Sequence, residues 1–317
     1  MAASGLPVKQ GDLVLAGGNI FDRPNELPIY LAVVLDRHDA GGNFTGTLLS
    51  HPPTDFYAGP SWNVDAVGDH TLYFTDNNHV VQRLDQGGTT RIGGEFEYVD
   101  ALLATRRGDL LVAEGHSFGP GTLWQFNVAG QLVRTWDLRV WSSMDLAADG
   151  CTLVYPKLNT RALGPDWIDQ WISVSRYDLC ADEPLSDLVP RLPWLNLTRL
   201  RLLPDGGFLV ASGYGLERRD AAGNLVWQRT VDQQRLWFLL ALDPSGKTFW
   251  SGAYDKVWHF SVDSPEPLAG PFATGKDDWV FGGTVVGGWK AAAGIGGVIR
   301  YHRPLCDAFS PCDASSP

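Results

Sequence analysis

Polar and aromatic residues recur at one kind of place in this chain, just past a short apolar run. They are Asp76, Asn77 and Asn78, then Glu114 and His116, then Lys157 and Asn159, Tyr214, and finally Tyr254 and Asp255. Asp and Asn offer hard oxygen ligands of the kind that hold calcium or magnesium. On that chemistry Asp76, Asn77, Asp100 and Asp255 are the expected ligands of a divalent cation. Glu and His can move protons, so Glu114 and His116 are the candidate acid–base pair of a metal-dependent hydrolase or lyase. Asn63, Asp65, Asp145, Asn196 and Thr198 add polar groups to the runs that come before these positions. The competing reading is turn and strand-end residues that bond their own backbone.

A second set is aromatic. Trp62, Tyr98, Trp141, Trp194, Trp237 and Trp279 lie at or near the start of successive repeat units. Rings in a rim could stack on a sugar, a flat ligand or a peptide. The expected ligand-binding set is therefore Trp62, Tyr98, Trp141, Lys157, Asn159, Tyr214, Trp237 and Tyr254. A position repeated in every unit can equally serve the fold, as a wedge between neighbours. Beyond these sets chemistry is thin: there is no GxSxG elbow, P-loop, HExxH or EF-hand loop. The histidines share no ligand spacing.

The elements that must position these residues are short strands. Leu197 to Gln228 shows the unit: LTRLRLL, a PDGG turn, FLVAS, a short loop, GLERRD, an AAGN turn and LVWQ. Strand-length apolar runs between Gly, Asn and Asp clusters read as an antiparallel meander. The tight turn between first and second strands recurs at Gly11, Asp69, Gly108, Gly150, Gly206, Gly246 and Gly288. The steps are 58, 39, 42, 56, 40 and 42 residues, and four of them match the period of a propeller blade, roughly 40–45 residues. The end of the third strand recurs in phase, as in Arg83-Leu84-Asp85, Arg176-Tyr177-Asp178 and Arg218-Arg219-Asp220. The expectation is an all-β propeller of seven four-stranded blades, or six if the terminal units merge. It would span residues 1–305 as one domain, with 306–317 an irregular tail.

The long steps mark insertions at Gly17–Pro28, Ser50–Ser61 and Lys157–Gln170. In a propeller, loops between second and third strands and those between blades share one face, so all three insertions would decorate the same face. Loops on a rigid scaffold are where binding and catalysis concentrate.

A formal net charge of −11 excludes a large basic face for nucleic acid or anionic lipid. No apolar run is long enough for a membrane helix. The N-terminus, MAASGLPVKQ, lacks the charged and apolar regions of a signal peptide and is read as a mature form restarted with Met. Cys151 opens a second strand and Cys180 follows the end of a third, so the two are neighbours in an antiparallel hairpin and suit a bridge. Cys306 and Cys312 flank a short loop and could close it. Two bridges with no spare thiol favour an oxidising compartment, secreted or periplasmic.

The blade DGCTLVYP…SRYDLC resembles the cysteine-bearing blade of bacterial exported propellers of the NHL and gluconolactonase-like superfamily. LRLLPDGGFLVAS, LERRDAAGNLVW and WFLLALDPSGKTFWSG are similar to consecutive blades of those proteins, and the resemblance covers roughly residues 60–300. It implies a six- or seven-bladed ring. The superfamily includes senescence marker protein lactonases, with Glu, Asn and Asp around a central metal, and streptogramin lyases, with a His–Glu pair and magnesium. The lactonase glutamate falls where this chain has Ala58, before Gly59-Pro60. The surroundings of Glu114 and His116 differ from the lyase motif, so that assignment does not carry over. The leading expectation is an exported, monomeric propeller that binds a small molecule, carbohydrate or protein at its loop-rich axial face without catalysis. The alternative is a metal-dependent hydrolase or lyase at the axial mouth.

Overall fold

Apolar runs of about five residues with period two, closed by Gly and Asp turns, can bury both faces only if other sheets stack on each side. The structure, a computed structural model, shows that arrangement. It describes residues 13–20, 31–39, 41–51, 63–67, 71–75, 79–85, 87–105, 108–115, 121–164, 167–192, 197–212, 215–230, 239–243, 245–253, 256–273, 280–285, 288–291 and 298–301. The regular elements among them are strands.

Blade 1 contains β1 (Leu13–Ile20), β2 (Leu31–His38) and β3 (Phe44–His51). Blade 2 is β4 (Val64–Val67), β5 (Thr71–Thr75), β6 (Val81–Asp85) and β7 (Gly88–Ile92). Blade 3 is β8 (Tyr98–Ala104), β9 (Leu110–Gly115), β10 (Thr122–Phe126) and β11 (Leu132–Trp136). Blade 4 is β12 (Asp145–Leu146), β13 (Thr152–Gly164), β14 (Trp167–Asp178) and β15 (Glu183–Val189). Blade 5 is β16 (Leu197–Leu202), β17 (Phe208–Ser212), β18 (Gly215–Arg219) and β19 (Leu225–Thr230). Blade 6 is β20 (Leu239–Leu242), β21 (Thr248–Ala253), β22 (Lys256–Ser261) and β23 (Pro267–Ala273).

Among the described residues the count is six blades, the alternative in which the terminal units merge, and not the seven put first. The strand β24 (Val280–Val285) does not start a seventh sheet. It lies antiparallel on β1, with Leu13 opposite Val285 and Leu15 opposite Gly283, giving the order β24-β1-β2-β3. Blade 1 thus takes its innermost strand from the far end of the chain, and the first and last sequence units are two parts of one blade. The last two strands, β25 (Gly288–Ala291) and β26 (Val298–Tyr301), pair only with each other. A repeat counted along the sequence registers the shared blade twice.

Alternation along each strand sends successive side chains to opposite neighbours. In β17, Phe208 and Val210 pack with Val154, Ile172 and Val174 of blade 4. Leu209 and Ala211 pack instead with Leu240, Phe249 and Phe260 of blade 6. The ring closes through the same kind of layer: Trp250 and Ala241 of blade 6 meet Leu13 and Leu15 of blade 1. On the other side of β1, Val14 meets Ala66, Leu72 and Phe74 of blade 2. Burial of each such Leu, Val or Phe is favourable by roughly 1.5–3 kcal/mol.

The rim carries a polar fastening with a fixed period. Arg83 donates to Val128 O at 2.9 Å, Arg134 donates to Leu179 O at 3.0 Å, and Arg218 pairs with Asp263. In each case the arginine reaches the segment just after the third strand of the next blade, 45 residues on.

The bridge Cys151–Cys180 is formed, with the two Cα atoms 5.4 Å apart. It ties the start of β13 to the turn after β14, as the hairpin register requires: Thr152 is opposite Asp178. Cys306 and Cys312 lie outside the described residues. A disulfide closing 29 residues removes denatured-chain entropy. The double variant Cys151→Ser/Cys180→Ser is expected to lose about 2–4 kcal/mol in urea unfolding. Equal unfolding midpoints for this variant and the oxidised parent would show that the bridge carries no stability.

Candidate functional site

Each innermost strand has one edge that no further strand covers, because it is the last in its sheet order. Its backbone groups on that side need partners. Aspartates supply them across the blade gaps. Asp65 of blade 2 accepts from Ala104 N of blade 3 at 2.9 Å and from Ala66 N at 2.9 Å. Asp145 of blade 4 repeats this, accepting from Leu202 N of blade 5 and Leu146 N, both at 2.8 Å. Burial pushes the Asp145 carboxyl above its usual value, against the pull of Arg201 and these two N–H groups, and the charge of Asp65 adds to the rise.

The upper ends of the inner strands, towards the loop-rich face, are tied in the same way. Asn63 donates to Val99 O at 3.0 Å. Ser143 Oγ accepts from Leu200 N at 2.9 Å and lies 3.3 Å from Leu200 O. Arg199 is buried and donates to Ser142 O at 2.8 Å. Ser142 holds a left-handed φ of 63°, uncommon outside glycine, beside that carbonyl. Burial first, and then the nearby Arg201 charge, push the Arg199 guanidinium down to about 9.

Of the expected acid–base and cation residues, Glu114 and Asp100 are described; His116, Asp76, Asn77 and Asp255 lie outside the described residues. Glu114 Oε1 accepts from Glu97 N at 2.8 Å and Oε2 accepts from the Trp124 indole N–H at 3.0 Å. Asp100 sits at a bulge between Val99 and Ala101, with its carboxylate against the Cα of Gly115 where any larger residue would collide. Among the described residues, the group of three metal-type side chains that comes together is Cys151, Asp178 and Cys180. Its sulfurs are bonded to each other, and Asp178 Oδ1 accepts from the N–H groups of Cys180 and Ala181. Glu114, Asp65 and Asp145 have both oxygens committed to N–H donors, and an arginine stands beside Asp145.

The aromatic rim divides. Tyr98 is 44% exposed, and its ring meets that of His79 edge-on at 5.0 Å across the boundary between blades 2 and 3. Trp141 is half-buried against the core between blades 4 and 5, with the Arg139 guanidinium 5.3 Å from its ring centre. Tyr98 keeps a face to offer, whereas Trp141 is largely a wedge. Trp62, Tyr214, Trp237 and Tyr254 lie outside the described residues.

Lys157 and Asn159 stand where a loop was expected and a β-hairpin is found. β13 and β14 stay paired far beyond the blade, from Lys157 opposite Ser173 to Gly164 opposite Trp167. At about 3.3 Å per residue this arm rises roughly 25 Å. One of its faces carries Lys157, Asn159 and Arg161 across from Ser173, Trp171 and Asp169. Asn159 donates to Ser173 Oγ at 2.9 Å, and Ser173 Oγ lies 2.9 Å from Ser175 Oγ. Arg191, from the connection to blade 5, grips Asp169 through both nitrogens at 2.9 and 3.2 Å and lies 5.3 Å from the Trp171 ring centre. Arg161 stands 3.7 Å from the same carboxylate. The Arg191 hydrogen bond, with both arginine charges, holds Asp169 below the usual carboxylate range. Arg161, Asp169, Trp171 and Arg191 are not among the expected site residues. The sequence carries little signal for them: KLNTRALGPDWIDQWI does not alternate cleanly, and Arg191 lies outside it.

No protein-family model and no curated protein matches the chain. Solved structures do match in fold. A chain of a nidogen/laminin complex has a TM-score of 0.63 at 12% identity, covering 86% of this chain and 97% of that one. A protein of unknown function from Bacteroides caccae has a TM-score of 0.56 at 12% identity, covering 87% and 98%. These likenesses agree with a β-propeller of four-stranded blades. They do not carry the narrower NHL and gluconolactonase-like assignment.

The raised Asp145 value gives a testable slope. A carboxyl whose folded pKa exceeds its unfolded one contributes most below the unfolded value, and the contribution falls as pH rises through the folded value. The stability of the parent relative to Asp145→Asn is therefore expected to decline as the pH rises above the ordinary aspartate value, about 4. A difference that grows over this range in urea unfolding would reverse the assignment.

Proposed function

We propose that this chain is an exported binding propeller that takes a partner at its loop-rich face and needs no catalysis. The observation that carries the reading is the β13–β14 arm, which extends blade 4 beyond its neighbouring strands on that face and displays an ordered set of cations and an indole. A scaffold strand pair of this length is stiffer than a loop and suits recognition of an extended or convex surface. The carboxylates described near the axis serve the backbone, which also favours binding over acid–base work. One fold neighbour comes from a complex of two proteins, which supports a protein as the partner here. The disulfide fits an oxidising compartment, and no helix among the described residues is long and apolar enough to cross a membrane.

The competing reading places a calcium- or magnesium-dependent hydrolase or lyase at the mouth, with Asp76, Asn77, Asp100, Asp255, Glu114 and His116. One experiment separates the two. The chain is assayed against lactone and ester substrates with calcium, magnesium or EDTA, and its binding to a panel of glycans, peptides and secreted proteins is recorded under the same conditions. The expected result is no turnover, and binding that survives EDTA but is lost when residues 159–171 are replaced by an Asn-Gly turn. Turnover abolished by EDTA, or binding indifferent to the shortened arm, would overturn the proposal.

A further inference from the structure

Among the described residues the arm has an uncovered main-chain edge, and the register says which groups lie on it. In blade 4 the innermost strand β12 is two residues long and pairs only with Val154 and Leu153 of β13. Ala147 N donates to Thr152 O, and Trp141 N donates to Pro156 O at 3.3 Å. Backbone groups alternate sides along a strand, so those of Thr152, Val154 and Pro156 face the axis and those of Leu153, Tyr155 and Lys157 face β14. The same alternation turns the N–H and C=O of Leu158, Thr160 and Ala162 towards the mouth, above the end of β12. Among the described strands, β13 pairs with β12 and β14 alone. The outer side of the arm differs: Leu192 N donates to Ile172 O and the Trp171 indole donates to Pro190 O, so the connection to blade 5 covers β14. The open edge is the one that looks into the mouth.

The side chains beside it carry the opposite sign to the molecule. The whole chain has a formal charge of −11. Among the described residues the arm's face nevertheless presents Lys157, Arg161 and Arg191 against the single carboxylate of Asp169, and both arginines are more than half exposed. A local positive field on an acidic protein selects an anionic ligand. An unpaired strand edge selects an extended polypeptide. A second copy of this chain would bring like net charge, and arm against arm would set cation against cation.

We propose that Leu158–Ala162 of β13 receives an acidic, extended segment of a partner protein as an added strand, with its carboxylates over Lys157 and Arg161. The proposal rests on the binding reading above and names its partner chemistry. Main-chain pairing fixes the direction and register of the segment, and alternate acidic side chains meet the cationic face. An acidic polysaccharide would satisfy the charge but not the edge.

The test uses the full chain and a labelled peptide, acetyl-(Glu-Val)4-amide, followed by fluorescence anisotropy at low salt. Saturable binding is expected. Thr160→Pro removes one N–H on the open edge while leaving the β14 ladder intact, and is expected to weaken binding about tenfold. Thr160→Val keeps that N–H and is expected to bind as the parent does. Lys157→Glu/Arg161→Glu is expected to abolish the signal, and a Lys-Val peptide is expected not to bind. If Thr160→Pro does not fold, the parent with a peptide N-methylated at alternate residues asks the same question, and loss of binding is expected. Three results would each overturn the proposal: no binding of the Glu-Val peptide, undiminished binding of the N-methylated one, or binding of polygalacturonate in its place. In any of them, EDTA-resistant binding of another partner to the loop-rich face would leave the function proposed above standing.

Discussion

The antiparallel contact between β24 and β1 is the constraint on which the rest of the molecule depends. Six stacked sheets could form an open spiral, with the apolar faces of the first and last exposed. Pairing Val280–Val285 with Leu13–Gly17 puts the two ends of the chain into a single sheet. Only then do Leu13 and Leu15 have Trp250 behind them and Val14 have Phe74 in front. The axial geometry follows, because Asp65 can serve Ala104 and Asp145 can serve Leu202 only when blades are held at a fixed angle.

Much of this architecture was legible in the sequence. The FLVAS and GLERR runs, the PDGG and AAGN turns and the spacing of Arg83 and Arg218 all report a local meander, and local signals survive in a sequence. The pairing of Cys151 with Cys180 was readable for the same reason, since it lies within one hairpin. Ring closure was not, because the residues that unite β1 with β24 are far apart in the chain and each end alone looks like part of its own blade. The leading count of seven was therefore one too high, and the six-blade alternative, with merged terminal units, is the one found.

The site was less legible. Glu114 read as an acid–base residue, and Asp65 and Asp145 as further polar groups beside the expected cation ligands. Their partners are backbone N–H groups and an indole, which no residue pattern announces. Trp141 and Tyr98 hold matching places in the repeat, yet one is wedged and the other exposed, because their neighbours differ. The arm of blade 4 was readable as an insertion on the open face. That it is a paired hairpin was not readable, and its cationic face depends on Arg191, which reaches Asp169 from a different segment. Where blades 4 and 5 meet near the base of the arm, Arg199 and Ser142 combine a costly burial with a left-handed backbone. Such local expense is tolerated when the surrounding ring is rigid.

The shared blade also bears on how the molecule is made. Leu13 leaves the ribosome well before Val280, so blade 1 waits through the synthesis of blades 2 to 6 with three of its four strands. During that interval its inner edge is an unsatisfied template, open to any nascent neighbour on the same message. A nascent-chain binding factor, or rapid export of an unfolded precursor, would protect that edge until β24 emerges.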